Sequence, residues 1–130
     1  MDVVTKQYME NAISTISGGG SSLSYVADGS SQSVLLGKIN DNEASGAFSI
    51  AEGAYTKARG ARSHAECDST LASGLASHAE GDASTASGDG AHAEGSQTYA
   101  SGYYSHAEGK GTTVIGYAAH AEGNSTSVSS

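Results

Sequence analysis

Between Ala44 and Gly123, small and polar side chains alternate in short runs, and a glycine or its replacement interrupts them every seven residues. In Ser77, His78, Ala79, Glu80 and Gly81 the small residues fall on one face of an extended chain, with His and Glu on the other. Thr98 to Gly102 divides the same way, Tyr99 and Ser101 opposing Thr98 and Ala100. Period-two alternation predicts β-strands, and a face of Ala, Ser, Thr and Gly can approach another such face closely. Two five-residue strands joined by glycine-centred turns then predict one narrow coil of fourteen residues. Asp82, Asp89, Ser96, Lys110 with Gly111, and Asn124 with Ser125 follow the glycines and suit tight or left-handed turns. A helical repeat is the competing solution, but glycine at every seventh position would cost a helix about 1 kcal/mol each time relative to Ala. Parallel coils stacked at about 4.8 Å fit better, and six of them make a rod of roughly 30 Å.

Ahead of the repeats the pattern changes twice. Residues 1–17 predict an N-terminal helical segment, with Met9, Ile13 and Ile16 on one stripe, Asp2 or Thr5 as cap, and Gly18, Gly19 and Gly20 at its end. A helix this short is marginal alone in water, so its stripe needs a partner, such as copies of itself in a coiled coil. Residues 18–33 read as a Gly/Ser-rich connector interrupted by a strand from Leu23 to Ala27. Residues 34–43 hold the most apolar cluster, Val34, Leu35, Leu36 and Ile39. Placed directly before the first repeat, they suit a cap over the open end of a stack. Residues 44–130 are the repeats.

Within them His-Ala-Glu recurs at a fixed interval, and the protein's five histidines, His64, His78, His92, His106 and His120, stand fourteen residues apart. Glu52, Glu66, Glu80, Glu94, Glu108 and Glu122 recur with the same spacing. Stacking places both sets in adjacent columns. The favoured role is association of chains, His of one hydrogen-bonding Glu of a neighbour in each layer and relieving repulsion along the carboxylates. That contact would make stability depend on pH between about 5 and 7, where histidine titrates. A solvent-facing ladder that keeps the surface soluble is the plainer alternative. Histidines gathered from associated chains, with carboxylates in the next layer, would also match transition-metal ligands in type, but no unique cluster stands out, and neither metal nor cofactor is expected. Catalysis has little support, because triads need one preorganised pocket whereas this pattern is extended. Cys67, the single cysteine, replaces one glycine of the series, a substitution that is strained if φ there is positive.

Composition narrows the partners. The chain has 130 residues, 18 Gly, no Pro or Trp, one Phe and a net charge of −8. Without a cluster of Lys and Arg, nucleic acid and anionic membrane are excluded as expected partners. No apolar run reaches the roughly 20 residues of a spanning helix, and the N-terminus carries no signal-peptide pattern. The calcium-binding nonapeptide of other β-rolls is absent.

Ala-x-Gly every seven residues, with a fuller S-x-A-x-G at alternate turns, resembles the head repeat of trimeric autotransporter adhesins. The SHAEG variant, preceded by a helix such as VTKQYMENAI, is similar to tail-fibre or tail-appendage proteins of phages that infect Gram-positive bacteria. The resemblance implies an all-β, left-handed parallel β-roll associated as a homotrimer. In adhesin heads the unit facing the axis is typically S-V-A-I-G. Here His replaces Val and Glu replaces Ile, and only Ile50 and the outer pair Val114 and Ile115 restore an apolar residue. The expected trimer interface therefore comprises Met9, Ile13, Ile16, Ile50 and the His and Glu columns. Tyr99, Tyr103, Tyr104 and Tyr117 are candidate receptor contacts.

The function expected from this is non-enzymatic: a structural and host-adhesion module of a trimeric phage tail fibre, contacting other tail or baseplate proteins. It would be located on the virion and present its surface to a polysaccharide or protein of the bacterial envelope. A bacterial surface adhesin head is the alternative. An ice-binding solenoid is a further one, for which Thr85 and Thr113 are too irregular an array.

Overall fold

The computed structural model describes residues 22–28, 31–37 and 41–130. The expected helical segment, with Met9, Ile13 and Ile16, lies outside the described residues. So does Ile39 of the expected cap. The described chain opens with β1 (Ser22–Asp28), β2 (Ser31–Gly37), β3 (Glu43–Ala44), β4 (Ile50–Ala54), β5 (Lys57–Ala58), β6 (His64–Asp68) and β7 (Leu71–Ala72). It continues with β8 (His78–Ala79), β9 (Thr85–Ala86), β10 (His92–Ser96), β11 (Tyr99–Ala100), β12 (His106–Lys110), β13 (Thr113–Val114), β14 (His120–Asn124) and β15 (Ser127–Val128).

Successive strands alternate between two sheets, so the chain winds as a parallel β-solenoid. One sheet runs β1-β2-β4-β6-β8-β10-β12-β14 and the other β15-β13-β11-β9-β7-β5-β3. Apart from the antiparallel hairpin of β1 and β2, every pairing is parallel and joins residues fourteen apart in the repeats, as Ala93 with Ala107 and Ala100 with Val114. β2 lies beside β4 with Val34 opposite Ile50, Leu35 opposite Ala51 and Leu36 opposite Glu52. The apolar stretch before the repeats thus covers the edge strand of the first coil.

The interior is as narrow as the alternation implies. Ala51, Ala65, Ala79, Ala93, Ala107 and Ala121 point inward from one sheet and Ala58, Ala72, Ala86, Ala100 and Val114 from the other. Buried hydroxyl residues fill the space beside them, among them Ser63, Thr70, Ser77, Ser84, Thr98, Ser105 and Thr112. Ser77 and Ser105 donate to the carbonyls of Gly74 and Gly102 at 2.8 and 2.7 Å, closing the polar corners of the coil. A methyl group buries little apolar area, so the ladder of backbone hydrogen bonds between coils carries much of the stack's order.

The structure departs from two expectations. Each coil has one strand of up to five residues and one of two residues, where two five-residue strands were expected. The short strand ends because two consecutive N–H groups converge on one acceptor. Ser73 and Gly74 both donate to the carbonyl of Ala86, at 2.9 and 3.4 Å. Nor are the turns centred on glycine. Of the residues expected at the turns, Gly111 and Ser125 do adopt positive φ, but Asp82, Asp89 and Ser96 do not, the conformation falling one position later on Ala83, Gly90 and Gln97. These corners recur every seven residues, and most are not glycine. A left-handed conformation costs an L-residue about 1–2 kcal/mol. The corner N–H groups offset this by donating to the preceding coil, as Ala76 to Ala61, Gln97 to Asp82 and Tyr104 to Asp89, at 2.7–2.8 Å.

Candidate functional site: the histidine and glutamate columns

In-register parallel pairing sets His64 beside His78, His78 beside His92, His92 beside His106 and His106 beside His120. Alternation within each strand turns the histidines outward while Ala65, Ala79, Ala93 and Ala107 point in. The imidazoles consequently stack with centroids 4.7–4.8 Å apart and planes within 6° of parallel. Ile50 and Val34 continue the file beyond His64. The five histidines therefore form one line, as the fourteen-residue spacing predicts.

The glutamates lie alongside, and the structure joins the two columns within a single chain. The imidazoles of His64, His78, His92 and His106 reach back to the carboxylate of the preceding coil. His64 Nε2–H donates to Glu52 Oε1 at 3.0 Å, and His78 Nε2–H to Glu66 Oε1 at 3.0 Å. Further along, the separations lengthen. His92 Nε2 is 3.4 Å from Glu80 Oε1 and 3.8 Å from Glu94 Oε2, and His106 Nε2 is 3.6 Å from Glu94 Oε1 and 3.7 Å from Glu108 Oε2. Neither of these two Nε2 atoms has a hydrogen-bond partner, and both are closed off from solvent. Two carboxylates one layer apart repel by about 3.5 kcal/mol at an effective dielectric constant of 20, which explains why an imidazole is held between successive glutamates. The pairing answers locally the need that chain association was expected to meet.

On the far side of the glutamates runs an open groove of about 430 Å³, lined by Glu80, Glu94 and Glu108 with Gly81, Gly95 and Gly109, and ending at Cys67. Its floor is bare because this glycine series, at φ of +98 to +119°, runs close against the next coil. A Cβ on Gly95 would stand 2.1 Å from the carbonyl oxygen of Gly109. Cys67 occupies the same series at φ of 81°, so the position does require positive φ, as the strain argument supposed. Its thiol is free and exposed.

The opposite sheet bears the variable side chains, with Glu43, Lys57, Leu71, Thr85, Tyr99 and Thr113 in register. The Ser45 hydroxyl and the Arg59 guanidinium, at 2.6 and 2.9 Å, hold the Glu43 carboxyl below its ordinary value of 4.5. Tyr99 projects from β11, whereas Tyr103, Tyr104 and Tyr117 occupy the corner that leads back to the histidine-bearing sheet. All four are exposed, and Tyr104 meets Tyr117 edge to face at 5.9 Å. Leu75 is exposed two coils earlier on the same corner, a neighbour of the tyrosines that their sequence positions gave only through the repeat spacing.

With this geometry established, comparison with known families is informative. The family model of the YadA head domain repeat (2 copies) matches residues 68–91, 93–119 and 107–127. Those coils resemble the YadA head. The match begins immediately after Cys67, yet the coils before it carry the same strand pairings, Ala51 beside Ala65 and Ala58 beside Ala72. The parallel solenoid therefore extends further along the chain than the matched residues. No curated protein and no solved structure matches significantly. The β-roll of trimeric autotransporter adhesin type is supported jointly by the repeat match and the solenoid, and the bacterial adhesin head is the better-supported of the two expected settings.

Proposed function

We propose that this chain is the head module of a trimeric, surface-exposed bacterial adhesin, a non-catalytic spacer and binding surface built from stacked coils. The observation that carries the reading is the coincidence of the YadA head repeat match with stacked parallel coils over the same residues. Three copies would pack with Ile50 and the histidine and glutamate columns towards the axis. This leaves the variable sheet and the tyrosine corner facing outward. Tyr99, Tyr103, Tyr104 and Tyr117 then offer aromatic faces to a sugar or protein ligand. A phage tail fibre is the second reading, favoured by the SHAEG form of the repeat. It requires the same trimer and the same outward face, and differs in the particle that carries them.

Light scattering tests the assembly common to both. The expected mass is three times the 12.9 kDa of one chain, with loss of the trimer when Ile50→Lys places a charge at the proposed axis. A single-chain mass at micromolar concentration rejects the proposal.

A further inference from the structure

We propose that the middle of the histidine file is a binding site for a divalent transition-metal ion of the zinc or cobalt type. One ligand set is His92 with Glu80 and Glu94; the other is His106 with Glu94 and Glu108. The argument rests on distances within one chain and does not depend on the trimer. At His64 and His78 the imidazole–carboxylate separation is 3.0 Å, a hydrogen bond that satisfies both groups. At His92 and His106 the separations are 3.4–3.8 Å, and each imidazole nitrogen faces two carboxylates, one from its own coil and one from the coil before. These separations exceed those at His64 and His78, and neither nitrogen makes a hydrogen bond. They are close to the edge of a tetrahedron around an ion, which is about 3.4 Å when metal–nitrogen and metal–oxygen distances are about 2.1 Å.

Three further features agree. The Nε2 atoms of His92 and His106 lack hydrogen-bond partners and are shielded from water. Donor atoms of His92, Glu94 and His106 lie within 4.8 Å of one another, as do those of His106, Glu108 and His120; His64, Glu66 and His78 are grouped as closely, but there both imidazoles are already hydrogen-bonded to carboxylates at 3.0 Å. The same three glutamates line the open groove, which gives a hydrated cation a route in and leaves room for water in the remaining coordination position. One imidazole with two carboxylates is a nitrogen and oxygen donor set suited to zinc or cobalt in preference to calcium or magnesium. Glu94 offers one oxygen to each site, so it is the ligand both depend on.

Tag-free protein, freed of metal with a chelator, is titrated with Zn2+ by calorimetry, and imidazole nitrogen resonances are followed in parallel. The expected result is at least one ion per chain, with shifts at His92 and His106 and none at His64 or His78. Glu94→Gln keeps the side-chain shape and is expected to weaken binding about tenfold or more. Glu52→Gln removes an acceptor outside the proposed sets and leaves affinity within about twofold. Circular dichroism confirms that both variants keep the solenoid. Binding below one ion per chain, equal affinity in wild type and Glu94→Gln, or shifts spread over all five histidines each overturn the assignment. The resonance pattern of the wild type decides the matter even if a variant does not fold.

Discussion

Both interleaved glycine series leave no room for a side chain against the next coil, but only that of Gly81, Gly95 and Gly109 also takes positive φ. Gly60, Gly74, Gly88 and Gly102 do not adopt positive φ; they are glycine because the next coil leaves no room. A Cβ on Gly102 would sit 2.0 Å from the carbonyl oxygen of Gly116, and that oxygen cannot withdraw without parting the coils. Gly111, a corner residue outside both series, is the converse case, with φ of +62° and nothing nearer than 3.6 Å to an added Cβ. Gly102→Ala is therefore expected to lose about 3 kcal/mol or more, at the upper end of overpacking. Gly111→Ala should lose only the left-handed penalty of about 1 kcal/mol. Chemical denaturation of the two variants measures the difference, and equal losses would show that contact between coils is not what dictates Gly102.

Among the strands, β8 stands out because it is two residues long while its neighbours β6 and β10 run to five. It lies opposite Cys67, where regular pairing lapses after Ala65–Ala79 and resumes only as isolated bridges from Asp82 to Asp68 and Ser96. Glycine in the equivalent places reaches φ of +98 to +119°, but Cys67 stops at 81°. A side chain there cannot follow glycine's path against the next coil. Cys67→Gly is expected to raise stability by about 1 kcal/mol and to slow amide exchange at Glu80 and Gly81, which hydrogen-exchange mass spectrometry would detect. The strand faces, the fourteen-residue coil and the single file of imidazoles were all legible in the sequence, because period-two alternation and a fixed repeat leave little geometric freedom. The unequal strands were not legible, since two N–H groups sharing the Ala86 carbonyl is a backbone event that leaves no residue signature. Nor was the pairing of His with Glu of the preceding coil, which depends on how side chains lean between layers that are identical in sequence. The corners at Gly111 and Ser125 were legible, but those at Ala83 and Gln97 were misplaced by one residue because these poor formers of that conformation are held in it by bonds to the coil before.

For the molecule as a whole, each coil touches only the coils on either side, so stability should grow by near-equal increments and length should be adjustable in whole coils. Duplicating residues 79–92 inserts one complete turn: every later residue keeps its face, Ala meets Ala in the interior, and the imidazole file gains a sixth member. The product is expected to fold with a melting temperature no lower than that of the parent and to be longer by about 4.8 Å, a change that small-angle scattering can register. Omitting one residue from the same insert asks for something the backbone cannot supply. A thirteen-residue turn either tightens one of the two corners or slips register by one, and a slip turns buried alanine outward and outward histidine into an interior that admits only methyl and hydroxyl groups. That variant should melt earlier, with fast exchange confined to the coils flanking the junction while more distant coils stay protected. Global unfolding would instead mean that the coils cooperate over the full rod, and an unchanged melting temperature would mean that the fourteen-residue period is not what holds the stack in phase.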